Sequence, residues 1–281
     1  MDGHIQKGFV EVNDTQLYYE VAGEGQPLVL NHGGLVDNHL WDDQFEEFAK
    51  HFKVIRYDIR GFGQSGLIKS DMAPYSMERD LYDLLRYLDV QKTYLLGLSM
   101  GGALAIDFTL QYPEMVDALI TVGAGLSGYE EDDPEELKTK YEKMEEAFMS
   151  GDIDRSVEIS LQIWTDGPFR TPEQVNPQMR ERVRAMTTHN FERKDDEEVE
   201  PQHLEPPAAG RLSEIHVPTL IIVGSEDVEF ILSIADKLEK DIVGAKKVVV
   251  PHTAHHLNME KPQEFNRVVI DFLEKVGTYA R

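Results

Sequence analysis

The chain has 281 residues, with 52 acidic against 28 basic side chains, and its formal charge of -24 repels phosphate at long range, which argues against nucleic acid or anionic membrane as a partner. It contains no cysteine, so disulfides, thiolate metal sites and a cysteine nucleophile are excluded. A hydrophobic content of 41% suits a globular chain, no run approaches the roughly 20 apolar residues of a membrane span, and Met1 to Gly8 lack the apolar stretch of a signal peptide, so a cytoplasmic protein is expected.

Phe9 to Val12 and Leu17 to Val21 are β-rich runs around the turn formers Asn13 and Asp14, which predicts an opening hairpin. Pro27 leads into a buried strand at Leu28 to Leu30. Strands then alternate with helices: a helix over Trp41 to Phe52, a strand over Val54 to Tyr57, an amphipathic helix over Met77 to Leu88, a strand over Thr93 to Leu96, a helix over Ala103 to Tyr112 and a strand over Ala118 to Val122. This rhythm predicts a mostly parallel sheet with helices on both faces.

After Gly125 the rhythm breaks, and only helical patterns follow up to Leu212. Asp133, Pro134 and Glu136 form a start signal ahead of a helix over Leu137 to Met149, and Thr171, Pro172 and Gln174 repeat it. The polar stretch from Glu192 to Gly210 reads as a return loop. Pro218 then opens a strand over Thr219 to Val223, followed by a helix over Phe230 to Leu238, a strand over Lys246 to Val250 and a closing helix over Glu264 to Val276. The expected organisation is an α/β core over 1–125 and 213–281, interrupted by a helical lid over 126–212. Two acidic runs, Glu130 to Asp133 and Asp195 to Glu198, lack the ligand spacing of a calcium loop and read as solvated faces.

The segment TYLLGLSMGGAL holds Gly97, Leu98, Ser99, Met100 and Gly101, a Gly-x-Ser-x-Gly motif between a predicted strand and a predicted helix. A serine on so sharp a turn projects its hydroxyl above the sheet, and the helix behind it directs free amides at developing negative charge. His32, Gly33 and Gly34 follow the strand at Leu28 to Leu30, where such folds supply a second amide. The oxyanion hole is therefore assigned to the backbone N–H groups of Gly34 and Met100, with His32 holding the loop rather than acting as a base.

An acid and a base are sought after the nucleophile in chain order. The strand at Thr219 to Val223 runs into Gly224, Ser225, Glu226 and Asp227; Glu226 and Glu229 compete, but the Gly-x-x-Asp spacing favours Asp227 as the group that orients an imidazole. Beyond the last strand stand His252, His255 and His256. Adjacent histidines point in different directions and no cluster completes a tetrahedral metal set, so one of His255 and His256 is read as the general base and no metal is assigned.

With these residues in view the chain resembles the α/β-hydrolase superfamily, in the branch of carboxylesterases and 3-oxoadipate enol-lactonase-like enzymes. The resemblance rests on NHGG, YDIRGFGQSG from Tyr57 to Gly66, GLSMGG, VGSEDVE and PHTAHHLNMEKP, and is weakest over Leu126 to Leu212. It implies His255 as the base, because Pro251, His255, Glu260 and Pro262 fall on the family's closing pattern, with His256 as the neighbour. It also implies that Asp58, Arg60, Gly61, Gly63 and Ser65 are a structural turn. Two departures stand out: His252 and Ala254 replace small residues before the catalytic histidine, and Gly34 stands where relatives place an aromatic, which widens the acyl pocket.

The resulting expectation is a cofactor-free serine hydrolase of small esters or lactones, with Ser99, His255 and Asp227 as the triad. Carbon–carbon bond hydrolysis, perhydrolysis, and a slow-turnover receptor with an intact triad use the same constellation. Leu35, Trp41, Leu126, Phe148, Trp164, Phe169 and Leu257 are the candidate pocket residues.

Overall fold

In a computed structural model, residues 5–69, 74–131, 134–193, 199 and 201–279 are described. Strands β1 (Gln6–Val12) and β2 (Thr15–Ala22) turn on Asn13 and Asp14, whose φ values of 44° and 62° are those of a tight hairpin turn that these two residue types tolerate. β3 (Pro27–Asn31) follows. The predicted helix at Trp41 begins instead as a 3-10 turn, Asn38–Trp41, because the Asp37 carboxylate accepts the His39 N–H at 2.9 Å and starts the coil early. It continues as α1 (Asp42–Phe48) and stops short of Phe52, where Lys50 and His51 donate only three residues back.

Next come β4 (Lys53–Tyr57), α2 (Met77–Tyr87), β5 (Thr93–Leu98), α3 (Met100–Gln111) and β6 (Val116–Val122). Among the described residues, the chain then makes only helices and turns up to β7: α4 (Glu135–Met149), α5 (Ile153–Ser160) and α6 (Pro177–Phe191), with short 3-10 turns. The expected cap Asp133 lies outside the described residues, as do Asp132 and Asp195 to Glu198 of the acidic runs. Thr171 and Gln174 do form their reciprocal box, but around a single 3-10 turn. Val175 and Asn176 are extended, as the residue before a proline prefers, and α6 starts on Asn176, whose side chain accepts from Gln178 and Met179.

Strand β7 (Thr219–Gly224), α7 (Glu229–Asp241), β8 (Lys246–Val250), the short α8 (Leu257–Glu260) and α9 (Pro262–Tyr279) complete the chain. The eight strands lie in the order β1-β2-β4-β3-β5-β6-β7-β8, antiparallel at β1–β2 and β2–β4 and parallel elsewhere.

Successive strand residues face opposite sides, so the sheet divides the core in two. Val29, Ile55, Leu95 and Leu119 pack with Leu84 of α2, Phe108 of α3 and Ile234 of α7. Leu28, Leu30, Leu96 and Ile120 pack with Phe45 and Phe48 of α1 and with Phe265 and Val269 of α9. Burying each such side chain stabilises the fold by about 1.5–3 kcal/mol. The sheet is thereby held rigid between its helices, and the C-terminal ends of β5, β7 and β8 come out on one edge.

Candidate active site

Ser99 is the single residue between β5 and α3, at φ 56° and ψ -117°. A non-glycine residue in that conformation costs on the order of 1–3 kcal/mol. Its neighbours hold it there: the Ser99 N–H donates to Val122 O at 2.9 Å, and its carbonyl accepts from Ala103 and Gly125, each at 3.0 Å. The flanking glycines are sterically required, since a Cβ on Gly97 would stand 2.0 Å from the Gly101 carbonyl and one on Gly101 would stand 2.4 Å from the carbonyls of Asn31 and His32.

Asp227 lies just past β7 and His255 in the loop after β8. Asp227 Oδ2 and His255 Nδ1 are 2.8 Å apart, with both side chains buried. The carboxylate can only accept, so Nδ1 carries the proton. Nε2 is left with its lone pair free and has no protein partner among the described residues, while His255 and Ser99 line one cavity. Asp227 Oδ1 is taken by the Val228 N–H at 2.9 Å. Gly123, at φ 46°, passes beneath the pair, where a Cβ would come within 3.1 Å of His255 Nδ1 and 3.2 Å of Asp227 Oδ2.

The competing residues are placed elsewhere. Glu226 faces His252, which is 86% exposed at its side chain, and Glu229 opens α7. His256 is buried, with Nδ1 3.2 Å from Thr165 Oγ1. Burial, and secondarily the neighbouring His255, lower its pKa to about 3, so it remains a neutral ring at ordinary pH.

What holds the histidine loop has little signature in the sequence. Leu161 to Thr165 form one π turn at the end of α5, closed by Asp166 N–H to Leu161 O at 2.8 Å. That turn brings the Trp164 ring to 4.7 Å from the His255 ring and lets Trp164 O accept the His255 N–H at 3.2 Å. Glu260 accepts the Ala254 N–H at 2.8 Å and pairs with Arg170 at 2.6 and 3.0 Å; Arg170 in turn donates to the Asp166 and Thr165 carbonyls. Only the glutamate carried a signal in the sequence.

The loop after β3 runs beside the nucleophile. His32 is buried and pushed towards its neutral form, foremost by burial; Nε2 accepts the Ile59 N–H at 2.9 Å, so Nδ1 donates to Gly33 O at 2.7 Å. It therefore shapes the loop. Asp58 accepts from Asn38 and from the Gln64 N–H, Ser65 donates to Asp58 O, and Arg60 forks onto Asp80, which makes the turn after β4 a buried brace. Gly34 and Met100 line the cavity of Ser99, with Met100 at the first position of α3, where a helix leaves its amides free.

That cavity measures about 250 Å³. Of the pocket candidates, Leu35 and Trp164 line it and the other five do not. Trp41 and Leu257 are buried in the layer beneath α1 and α9, and Leu126 belongs to the opposite layer. Phe148 packs on Phe191 at 5.3 Å, and Phe169 is 72% exposed. Tyr141 and Met144 of α4, Ser160 of α5, and Val183 and Thr187 of α6 take their places. Apolar spacing along a helix marks core and pocket alike, so the sequence had no means of separating them.

A family model described as alpha/beta hydrolase fold matches residues 26–262. The chain belongs to this family. The first curated relatives, three mycobacterial proteins, are 33% identical over 117 residues, and the chain spans about a third of their length. The 2-hydroxy-6-oxo-6-phenylhexa-2,4-dienoate hydrolase of Comamonas testosteroni is 26% identical over 284 residues, covering 94% of this α/β hydrolase and 93% of that enzyme. Among solved structures, a thermophilic esterase from Thermogutta terrifontis superposes with a TM-score of 0.74 at 25% identity, over 96% of this chain and 99% of that one. The enol-lactonase of Burkholderia xenovorans, at 23% identity, shares the fold with a TM-score of 0.75 over 95% of this chain and 100% of that one. No helix among the described residues of this α/β hydrolase is long and apolar enough to cross a membrane.

Proposed function

We propose that this chain is a serine hydrolase that cleaves small carboxylic esters or lactones through an acyl-enzyme. The observation that carries the reading is the buried His255–Asp227 hydrogen bond, which leaves Nε2 free in the cavity of a serine held at positive φ. Ser99 Oγ attacks the ester carbonyl as its proton passes to His255 Nε2, and Asp227 stabilises the resulting imidazolium. The oxyanion accepts from the Gly34 and Met100 N–H groups, favoured by the dipole of α3. Collapse expels the alcohol, which takes the proton back from His255. Water activated by the same imidazole then cleaves the acyl ester and restores Ser99. Helices α4, α5 and α6 act as a lid, because they supply one wall of the cavity.

The Comamonas relative supports carbon–carbon bond hydrolysis as a second reading, on the same nucleophile and base. Steady-state turnover of p-nitrophenyl acetate and butyrate, δ-valerolactone and a dioxo acid tests both. The expected result is turnover of ester or lactone by the wild-type protein and a loss of more than a thousandfold in Ser99→Ala. Undiminished turnover in Ser99→Ala overturns the reading.

A further inference from the structure

The walls of the cavity beside Ser99 carry apolar groups, hydroxyls and two histidines, and none of the described residues lining it is lysine or arginine. Several of the described cations on the elements that wall the cavity are already engaged, and others point to solvent. On α6, Arg180 is held by Asp166 and Glu158, Arg182 by Asp43, and Arg184 by Glu158; at the mouth of the histidine loop, Arg170 is held by Glu260. On α4, Lys140 pairs with Glu136, and Lys143 is exposed on the side of the helix away from Tyr141 and Met144.

The remaining side-chain charge near the reacting atoms is negative. Asp227 stands buried behind His255, and His256 is a neutral ring. A carboxylate brought into this space would lose its hydration, meet no counter-ion among the described residues lining it and face the field of Asp227. The volume of about 250 Å³ also lies below the roughly 300–1,000 Å³ of sites that enclose drug-sized ligands. We infer that the substrate is a compact, uncharged ester or lactone, and that the cavity rejects acyl groups bearing a carboxylate. This selection rests on Ser99 being the nucleophile, and it concerns the acyl side of the substrate.

Three p-nitrophenyl esters of matched shape test it: the 4-methylpentanoate, the succinamate and the hemisuccinate, whose acyl chains end in an isopropyl group, a neutral amide and a carboxylate. Each is assayed with wild-type protein, and the rate with Ser99→Ala is subtracted to remove spontaneous hydrolysis. The expected result is that kcat/KM for the hemisuccinate falls at least a hundredfold below that of both neutral esters. The gap persists in 1 M NaCl, where the Debye length of about 3 Å screens the surface charge but not a buried site. Hemisuccinate turnover within threefold of the neutral esters overturns the inference while leaving Ser99 as nucleophile intact. Failure to turn over any of the three contradicts the serine-hydrolase reading itself, and the inference falls with it.

Discussion

His255 shows how much chemistry one hydrogen bond can carry. With Asp227 Oδ2 at 2.8 Å, the imidazole is fixed in the tautomer that leaves Nε2 able to take a proton. Asp227→Asn replaces the acceptor with a group that can donate to Nδ1 and invert the tautomer while changing little in shape. We expect kcat for p-nitrophenyl butyrate to fall about ten-thousandfold, with thermal unfolding unaltered; a loss under tenfold contradicts the assignment. Ser99 and Asp227 stand out in the sequence because each sits in a local pattern that the chemistry requires, a serine between glycines and a carboxylate just past a strand, and a pair of histidines stands five and six residues after the last strand. His256 was harder to set aside, since both rings are buried and only their partners, Asp227 for His255 and Thr165 for His256, distinguish them.

Between elements, the decisive contacts join parts far apart in the chain. Asp107 on α3 accepts the Ser127 hydroxyl at 2.9 Å, and Ser127 Oγ accepts the Ala208 N–H at 3.1 Å, which ties the return from the helical segment to the core. Burial pushes the Asp107 pKa up to about 6, against an ordinary value of 3.8. The folded state then holds a proton that the unfolded chain releases, so stability is lost as pH rises from about 4 through 6. Asp107→Asn keeps an acceptor for Ser127 and removes that penalty. It should add about 1–2 kcal/mol at pH 7.5 and little at pH 4, read from urea midpoints at both; an equal effect at the two pH values contradicts this account.

The central strands were legible because buried apolar runs bounded by turn formers have few alternatives. The helical segment was legible only in part: α4 lies where its start signal put it, but the later turns do not. Thr171 and Gln174 announced a helix that Asn176 and Pro177 begin, and the π turn at Leu161 to Thr165 has no local signature, yet it sets Trp164 against His255.

At the scale of the whole molecule, one eight-stranded sheet clamped between two apolar layers brings the ends of β5, β7 and β8 to one edge, where residues 99, 227 and 255 meet. The alternation of strands and helices made this architecture predictable, since parallel strands need crossovers and their sites fall at carboxyl ends. The pocket was not predictable, because its walls come from α4, α5 and α6, whose positions over the sheet depend on distant pairs such as Arg170–Glu260. The central claim is that Ser99 is a nucleophile activated by His255. Intact-mass and peptide mass spectrometry after treatment with a fluorophosphonate tests it most directly. One phosphonyl group per chain is expected, on the peptide carrying Ser99, and none in Ser99→Ala; an unlabelled wild-type chain, or label retained by Ser99→Ala, would contradict the assignment.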